Sequence, residues 1–278
     1  MQNAEKVQIC ARTLKNKLPD GFSPSFGLIL GTGLGGIADS LQEGLSISYA
    51  DLPEFPLSGV LSHEGAFAAG YFAGVPLLIQ KGRCHLYEGR TPEEVCMGVR
   101  VMAACGVKAL IATNAAGALD PLFKAGGLML VADHINMTGQ SPLTGGDPGS
   151  IFADMSRVYD EAFAALAEAA ALRLGLRLEK GVYMGIAGPQ LETGAETRFY
   201  RMIGADAIGM STVLEVIAAR HLGLRVLAFS ILTNKNLPDS AAPVAIEDIV
   251  QTAEECGRDL ERLLRELMPD LAAGLEGE

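Results

Sequence analysis

The sequence predicts an α/β fold in one domain over 1–278, with a central mixed, mostly parallel twisted β-sheet flanked by helices. Three observations predict it. Short β-rich runs alternate with helical patterns from end to end, the order that a mostly parallel sheet with helices on its faces requires. Most of those runs are continuously apolar, as strands covered on both faces must be. Finally, 49% of the 278 residues are hydrophobic, enough to bury one substantial core.

The strand candidates are "FGLIL" (26–30), "VPLLIQ" (75–80), "KALIATN" (108–114), "LMLVADHIN" (128–136), "VYMGIAG" (182–188), "ADAIGM" (205–210) and "RVLAFSILTN" (225–234). Helices are expected over about 4–17, 92–105, 157–173, 194–203, 212–222 and roughly 245–268, where apolar spacing drifts to three and four. The tail 271–278, ending in "AAGLEGE", reads as frayed. "GQSPLTGGDPGS" (139–150) reads as a surface loop rather than a linker, because composition does not shift across it.

Three helix starts share T-x-x-E: Thr91 with Glu94, Thr193 with Glu196, and Thr212 with Glu215. These are capping boxes, in which hydroxyl and carboxylate satisfy amides that the helix leaves open. Their neighbours Glu192 and Ser211 are left without a structural duty. Both stand at strand-to-helix mouths, where ligands of open α/β sheets bind.

Charge narrows the function. The 33 acidic residues against 22 basic ones give a formal net charge of −11, and such a field repels polyanions, so nucleic acid is not an expected partner. Cys10, Cys84, Cys96, Cys105 and Cys256 form no C-x-x-C pair, and the four histidines are scattered. Neither a disulfide framework nor a metal site is expected, and a reducing cytoplasm fits. No run approaches the length of a membrane span, and the N-terminus lacks a signal-type apolar stretch.

"LILGTGLGG" carries Gly31, Gly33 and Gly36 in the G-x-G-x-x-G spacing of a dinucleotide-binding turn. Inorganic phosphate, a sugar phosphate or a bare change of direction suit it as well. The dinucleotide reading lacks its acid: Asp51 and Glu54 fall in the proline-punctuated "ADLPEFP" rather than at a strand end. In "QKGRCHLYEGR", an extended chain puts Arg83, His85 and Tyr87 on one face at period two. That face would carry an anion clamp, an imidazole and a phenol. "ATNAAGALDP" exposes amides after Asn114 among small side chains. "SILTNKN" closes a strand with Thr233, Asn234 and Lys235, and Asn234 offers a donor and an acceptor to a planar heterocycle.

Taken together, "LGTGLGG", "GRCHLYEG", "TNAAGALDPLF", "DHIN", "AGPQLETGAE", "GADAIGMSTVLEVIAARH" and "LTNKN", in that order, closely resemble the trimeric purine nucleoside phosphorylases. The resemblance implies phosphate-dependent cleavage of the N-glycosidic bond of 6-oxopurine (deoxy)ribonucleosides, giving free base and pentose 1-phosphate without a cofactor or metal. It implies a phosphate site of Thr32, His63, Arg83, His85, the Ala115 amide and Ser211. Base recognition would fall to Glu192, Thr233 and Asn234 with Leu191, and the ribose to Tyr87, Met210 and Ile246. Asn234, Glu192 and His85 would carry the catalysis. Phe152 resembles the aromatic that each subunit lends to its neighbour, which implies a homotrimer. Leu191 and Ile246 depart from the family, which often has an aromatic and a histidine there. Both make the pocket more apolar and suggest tolerance of 5′-deoxy or 5′-alkylthio nucleosides. The alternatives are a 5′-methylthio- or 5′-deoxynucleoside phosphorylase and a catalytically silent nucleoside-binding protein.

Overall fold

The computed structural model describes residues 2–60, 64–146, 152–239 and 245–276. Helix α1 (Gln2–Lys17) leads into strands β1 (Phe26–Leu30), β2 (Gln42–Ser48), β3 (Ala66–Phe72) and β4 (Val75–Lys81). Helices α2 (Pro92–Val95) and α3 (Met97–Ala104) precede β5 (Ala109–Ala118) and β6 (Gly127–Asn136). Then follow α4 (Glu161–Arg173), β7 (Leu178–Gly185), α5 (Gly194–Met202), β8 (Ala207–Gly209), α6 (Val213–His221), β9 (Arg225–Lys235) and α7 (Ile246–Glu276).

The strands form one sheet in the order β2-β3-β4-β1-β5-β8-β7-β6-β9, and β9 also pairs with β5. Pairings β1–β4, β1–β5, β5–β9, β6–β7 and β7–β8 are parallel; β2–β3, β3–β4, β5–β8 and β6–β9 are antiparallel. The β5–β9 pairing turns the last five strands into a closed circuit. The sheet therefore forks at β5. Its first half lies beside β1, up to Ala112, and its end lies beside β8, from Gly117. Between them, residues 113–116 have no strand on that edge, and a crevice opens there.

Successive side chains of a strand point to opposite faces, and both faces are packed. In β1, Phe26, Leu28 and Leu30 join one buried cluster and Ile29 the other. In β9, Leu227, Phe229 and Ile231 oppose Val226, Ala228 and Leu232 in the same way. Helices α4 and α7 pack on the face of Phe26 and Leu227; α1, α3 and α6 pack on the face of Ile29 and Val226. Two apolar faces explain why these strands read as continuous apolar runs.

Several expectations need correction. Strands β2 and β3 went unseen, because "QEGLSIS" is largely exposed and "AFAAGYF" is built of small residues with little strand signature. The expected helix 92–105 breaks at Cys96 into two. The expected frayed tail is helical: α7 continues past Pro269 to Glu276. Leu260, Leu263, Leu264, Leu267, Met268 and Leu271 line one buried stripe, and Leu275 packs on the same cluster. Full burial of Leu271 contributes about 1.5–3 kcal/mol and partial burial of Leu275 adds to it, which is comparable to the roughly 3 kcal/mol that an interior proline costs. No helix among the described residues is long and apolar enough to cross a membrane.

The glycine turn after β1 also takes its meaning from packing. A Cβ on Gly31 would stand 2.8 Å from the Asn114 Cα, and one on Gly33 2.6 Å from the Ala253 Cβ of α7. Space around Gly36 is open. The chain then enters a short 3₁₀ turn, Gly35–Ser40, rather than a long helix. The helix N-terminus that a dinucleotide pyrophosphate needs is not there.

Candidate active site

At the fork of the sheet lies a cleft of about 580 Å³, within the size range of small-molecule sites. Its wall collects Thr32, Arg83, His85, Tyr87, Ala115, Leu191, Glu192, Met210, Ser211, Thr233, Asn234 and Ile246 from separate strands, the loops that follow them and the start of α7. Phe152 is not part of that wall; it is 89% exposed. His63 lies outside the described residues. Lys235 points away, its ammonium donating to the Pro121 carbonyl.

Arg83, expected as an anion clamp, is also held by the protein's own groups. It is 1% exposed, and its Nη1 donates to Glu215 Oε2 at 2.7 Å and to Thr212 Oγ1 at 3.4 Å. Nη2 donates to the Thr113 carbonyl. Glu215, expected to do nothing but cap α6, does accept from the Thr212 N–H at 3.2 Å, yet the same oxygen is the counter-ion of Arg83. Burial raises the Glu215 carboxyl, and Arg83 together with the Thr212 N–H draws it part of the way back. Thr212 itself adopts φ +70° and ψ −52°, a positive-φ conformation disfavoured for a β-branched residue. Its hydroxyl meets Arg83, the Asn114 carboxamide at 3.0 Å and the Ser211 hydroxyl at 3.2 Å. A strained residue with three polar neighbours therefore underlies this end of the cleft.

Strand β4 ends at Lys81 and the backbone bends at Gly82, where φ is +91°; His85 is extended and the chain then turns, so Tyr87 reaches the wall from a 3₁₀ turn, Leu86–Glu88, rather than by strand period. The two rings stack at 4.6 Å. His85 Nδ1 lies 3.1 Å from Glu88 Oε1. An ionised carboxylate only accepts, so Nδ1 carries the proton and Nε2 is the ring's remaining polar atom. Burial alone would raise Glu88, but hydrogen bonds from Gly59, His85 and Ser58 outweigh it and hold the carboxyl below the ordinary range.

At the other end stand Glu192, Thr233 and Asn234. Parallel pairing of β5 and β9 skips one residue here: Ala116 faces Leu232, while Gly117 faces Asn234. The extra residue, Thr233, is a bulge, which turns two adjacent side chains of β9 toward the cleft. Burial raises the Glu192 carboxyl and Glu196 adds to the rise, while its own backbone N–H and Asn236 pull it back in part.

Asn114, Val60, Asn236 and Ile249 also line the cleft and were not singled out from the sequence. The signal for Asn236 was present: it lies two residues beyond Asn234, at strand period. Glu215 and Thr212 were hidden by the capping-box explanation. Among the described residues no three His, Cys, Asp or Glu side chains gather as a metal would require.

The profile of the Phosphorylase superfamily matches residues 25–269. Purine nucleoside phosphorylase 1 of Bacillus subtilis (strain 168) is 42% identical over 267 residues, covering 95% of this chain and 98% of the relative. Purine nucleoside phosphorylase of Mus musculus is 40% identical, covering 90% of each chain. The crystal structure of Schistosoma mansoni purine nucleoside phosphorylase in complex with adenosine superposes with a TM-score of 0.89 at 31% identity, covering 95% of this chain and 96% of that one. A schistosoma purine nucleoside phosphorylase in complex with hypoxanthine gives 0.88 at 31% identity, over 96% of both chains. The chain belongs to the phosphorylase superfamily. Within it, these relatives, matched over nearly the full length, are purine nucleoside phosphorylases, which are pentosyltransferases.

Proposed function

We propose that this protein is a purine nucleoside phosphorylase acting on 6-oxopurine ribonucleosides and deoxyribonucleosides. The observation that carries the reading is the lining of one cleft by Arg83, His85 and Ser211 together with Glu192 and Asn234. Phosphate is the nucleophile and the only co-substrate. Thr32, the Ala115 amide, His85 Nε2, Ser211 and the Arg83 edge hold it; His63 is assigned to the same site by resemblance alone. One phosphate oxygen bonds to C1′ of the pentose as the C1′–N9 bond breaks and its electron pair leaves with the purine.

Glu192 accepts from N1–H of the base. The Asn234 carboxamide donates toward N7 and O6, where negative charge grows as the bond breaks. Donors aimed at developing charge favour the transition state over the ground state. Tyr87 and Met210 hold the ribose, with Ile246 at its 5′ end and Leu191 against the base. Phe152, exposed on the protomer, completes a neighbour's sugar pocket in a homotrimer. Five free cysteines, four of them buried, suit a reducing cytoplasm.

The test is a nucleoside panel with and without inorganic phosphate, reading free base. Release of hypoxanthine from inosine that depends on phosphate is expected. Release without phosphate, or none at all, removes the proposal.

A further inference from the structure

Asn236 bridges the two residues assigned to the base. Its Nδ2 donates to Glu192 Oε2 at 2.7 Å, and its Oδ1 accepts from Asn234 Nδ2 at 2.6 Å. Beyond Asn234, the Thr233 hydroxyl lies 3.1 Å from Asn234 Oδ1. The direction of this line is dictated from one end. Ionised Glu192 only accepts, so Asn236 must turn its NH₂ toward it and its carbonyl toward Asn234. Asn234 must then meet that carbonyl with its own NH₂.

Asn236 is itself over-determined. Its backbone N–H donates to the Ala118 carbonyl at 2.9 Å, and its own carbonyl accepts from Arg201 Nη2 at 2.8 Å. Both backbone groups and both ends of the carboxamide are therefore engaged. The strand opposite leaves room for the arrangement only because residue 117 is glycine: a Cβ there would stand 2.9 Å from Asn236 Nδ2 and 3.3 Å from Asn234 Nδ2.

We infer that Asn236 is a specificity-determining positioning residue, which locks the Asn234 carboxamide with its NH₂ end committed to the Glu192 side and so selects 6-oxopurines over 6-aminopurines. The inference rests on the phosphorylase reading above. A carboxamide is nearly symmetric in shape, and an unrestrained one turns to offer either end. Turned over, Asn234 would present its carbonyl to the amino group of adenine. With Asn236 in place that turn sets two carbonyl oxygens face to face, and turning Asn236 as well sets its carbonyl against the Glu192 carboxylate. The cleft thus presents one acceptor and one donor in fixed order, matching N1–H and O6/N7. Adenine, with a bare N1 and an amino group at position 6, meets the arrangement the wrong way round at both of those positions and matches it at N7 alone.

The test compares kcat/KM for inosine and adenosine at saturating phosphate in the wild type, Asn236→Leu and Gly117→Ala, with the phosphate KM of each. Leu matches asparagine in size and cannot hydrogen-bond; Gly117→Ala displaces the same line from the other side and serves if the first variant folds poorly. Removing a hydrogen bond to a charged group is expected to lower kcat/KM for inosine about 10- to 100-fold. Adenosine should change far less, so the preference for inosine collapses while the phosphate KM stays within about twofold, since no phosphate contact is lost. A folded Asn236→Leu enzyme that retains the wild-type inosine-to-adenosine ratio overturns the inference, as does a wild type that does not discriminate. A wild type that releases no base from either nucleoside instead overturns the underlying phosphorylase reading.

Discussion

Arg83 and Glu215 meet across 2.7 Å with 1% and 0% of their side chains exposed. Removing either partner strands a charge in the interior, a loss of about 3–5 kcal/mol for buried pairs, whereas apolar replacement of both is often neutral. Glu215→Gln is therefore expected to lower the melting temperature sharply and to raise the phosphate KM. Arg83→Ala, which from sequence alone should mainly weaken phosphate binding, is expected to destabilise the fold too. The double variant Arg83→Met/Glu215→Leu separates the two effects: stability should recover in a thermal melt while the phosphate KM stays high. Recovery of both would show that Arg83 serves the fold alone.

Glu192 accepts N1–H only as the carboxylate. Burial, with Glu196 adding to it, raises its pKa, so the group takes up a proton at a higher pH than an ordinary glutamate of about 4.3. The value of kcat/KM for inosine should fall as pH drops through that raised pKa. Glu192→Gln should abolish this limb and narrow the gap between inosine and adenosine, because a glutamine can also donate. An acid limb that persists unchanged in the glutamine variant would assign it to another group.

Ile246 lines the cleft and is 73% exposed. Isoleucine cannot pair a 5′-hydroxyl, so 5′-deoxyinosine should be cleaved within about tenfold of inosine, the worth of one ordinary hydrogen bond. Ile246→His is expected to shift the preference toward inosine. A strong preference for inosine in the wild type would remove this idea and with it the apolar reading of the 5′ end.

Phe152 is 89% exposed on the protomer. Sedimentation equilibrium should report three times the 29.2 kDa chain mass. Phe152→Ala should raise the nucleoside KM with the melting temperature unchanged. A monomer that turns over at the full rate is the contrary result.

Arg225 grips Asp160 through two hydrogen bonds, at 2.6 and 2.9 Å, and lies 3.8 Å over the Phe163 ring; Asp160 also caps α4 through the Phe163 N–H at 2.9 Å. Burial would raise Asp160, but these hydrogen bonds outweigh it and leave its pKa lowered. A depressed carboxylate stabilises the fold above its unfolded pKa, and the contribution is lost as pH falls through the folded value. Asp160→Asn should cost about 1–3 kcal/mol at neutral pH, flatten the loss of stability below about pH 4, and leave kcat untouched. Denaturant titrations at pH 7 and pH 3.5 check it; an equal cost at both would rule out the charge.

Much of the site was legible because its residues sit at strand ends. Glu192, Ser211 and Asn234 each follow a run whose apolar pattern marks it as buried, so whatever polar group comes next stands at a mouth of the sheet. Thr32, Arg83 and Ala115 could be placed for the same reason. Asn236 stood at strand period from Asn234, but its link to Glu192, 44 positions away, was not legible, and neither was the Arg83–Glu215 pair, 132 positions apart.

By itself, the sequence determined which runs are strands with two covered faces, where the three helices with capping boxes begin, and that any anion must be held by local donors rather than by net charge. Those properties follow from nearest-neighbour chemistry: side-chain period, caps and composition. Tertiary structure decided the rest. Pairing of β5 with β1, then β8, on one edge and with β9 on the other opened the cleft. Packing of Leu271 and Leu275 carried α7 through a proline. The glutamate that looks like a cap became a counter-ion because folding brought Arg83, 132 positions away, within hydrogen-bonding distance. Contacts between distant segments depend on which surfaces the whole chain buries together, and no local pattern records that choice.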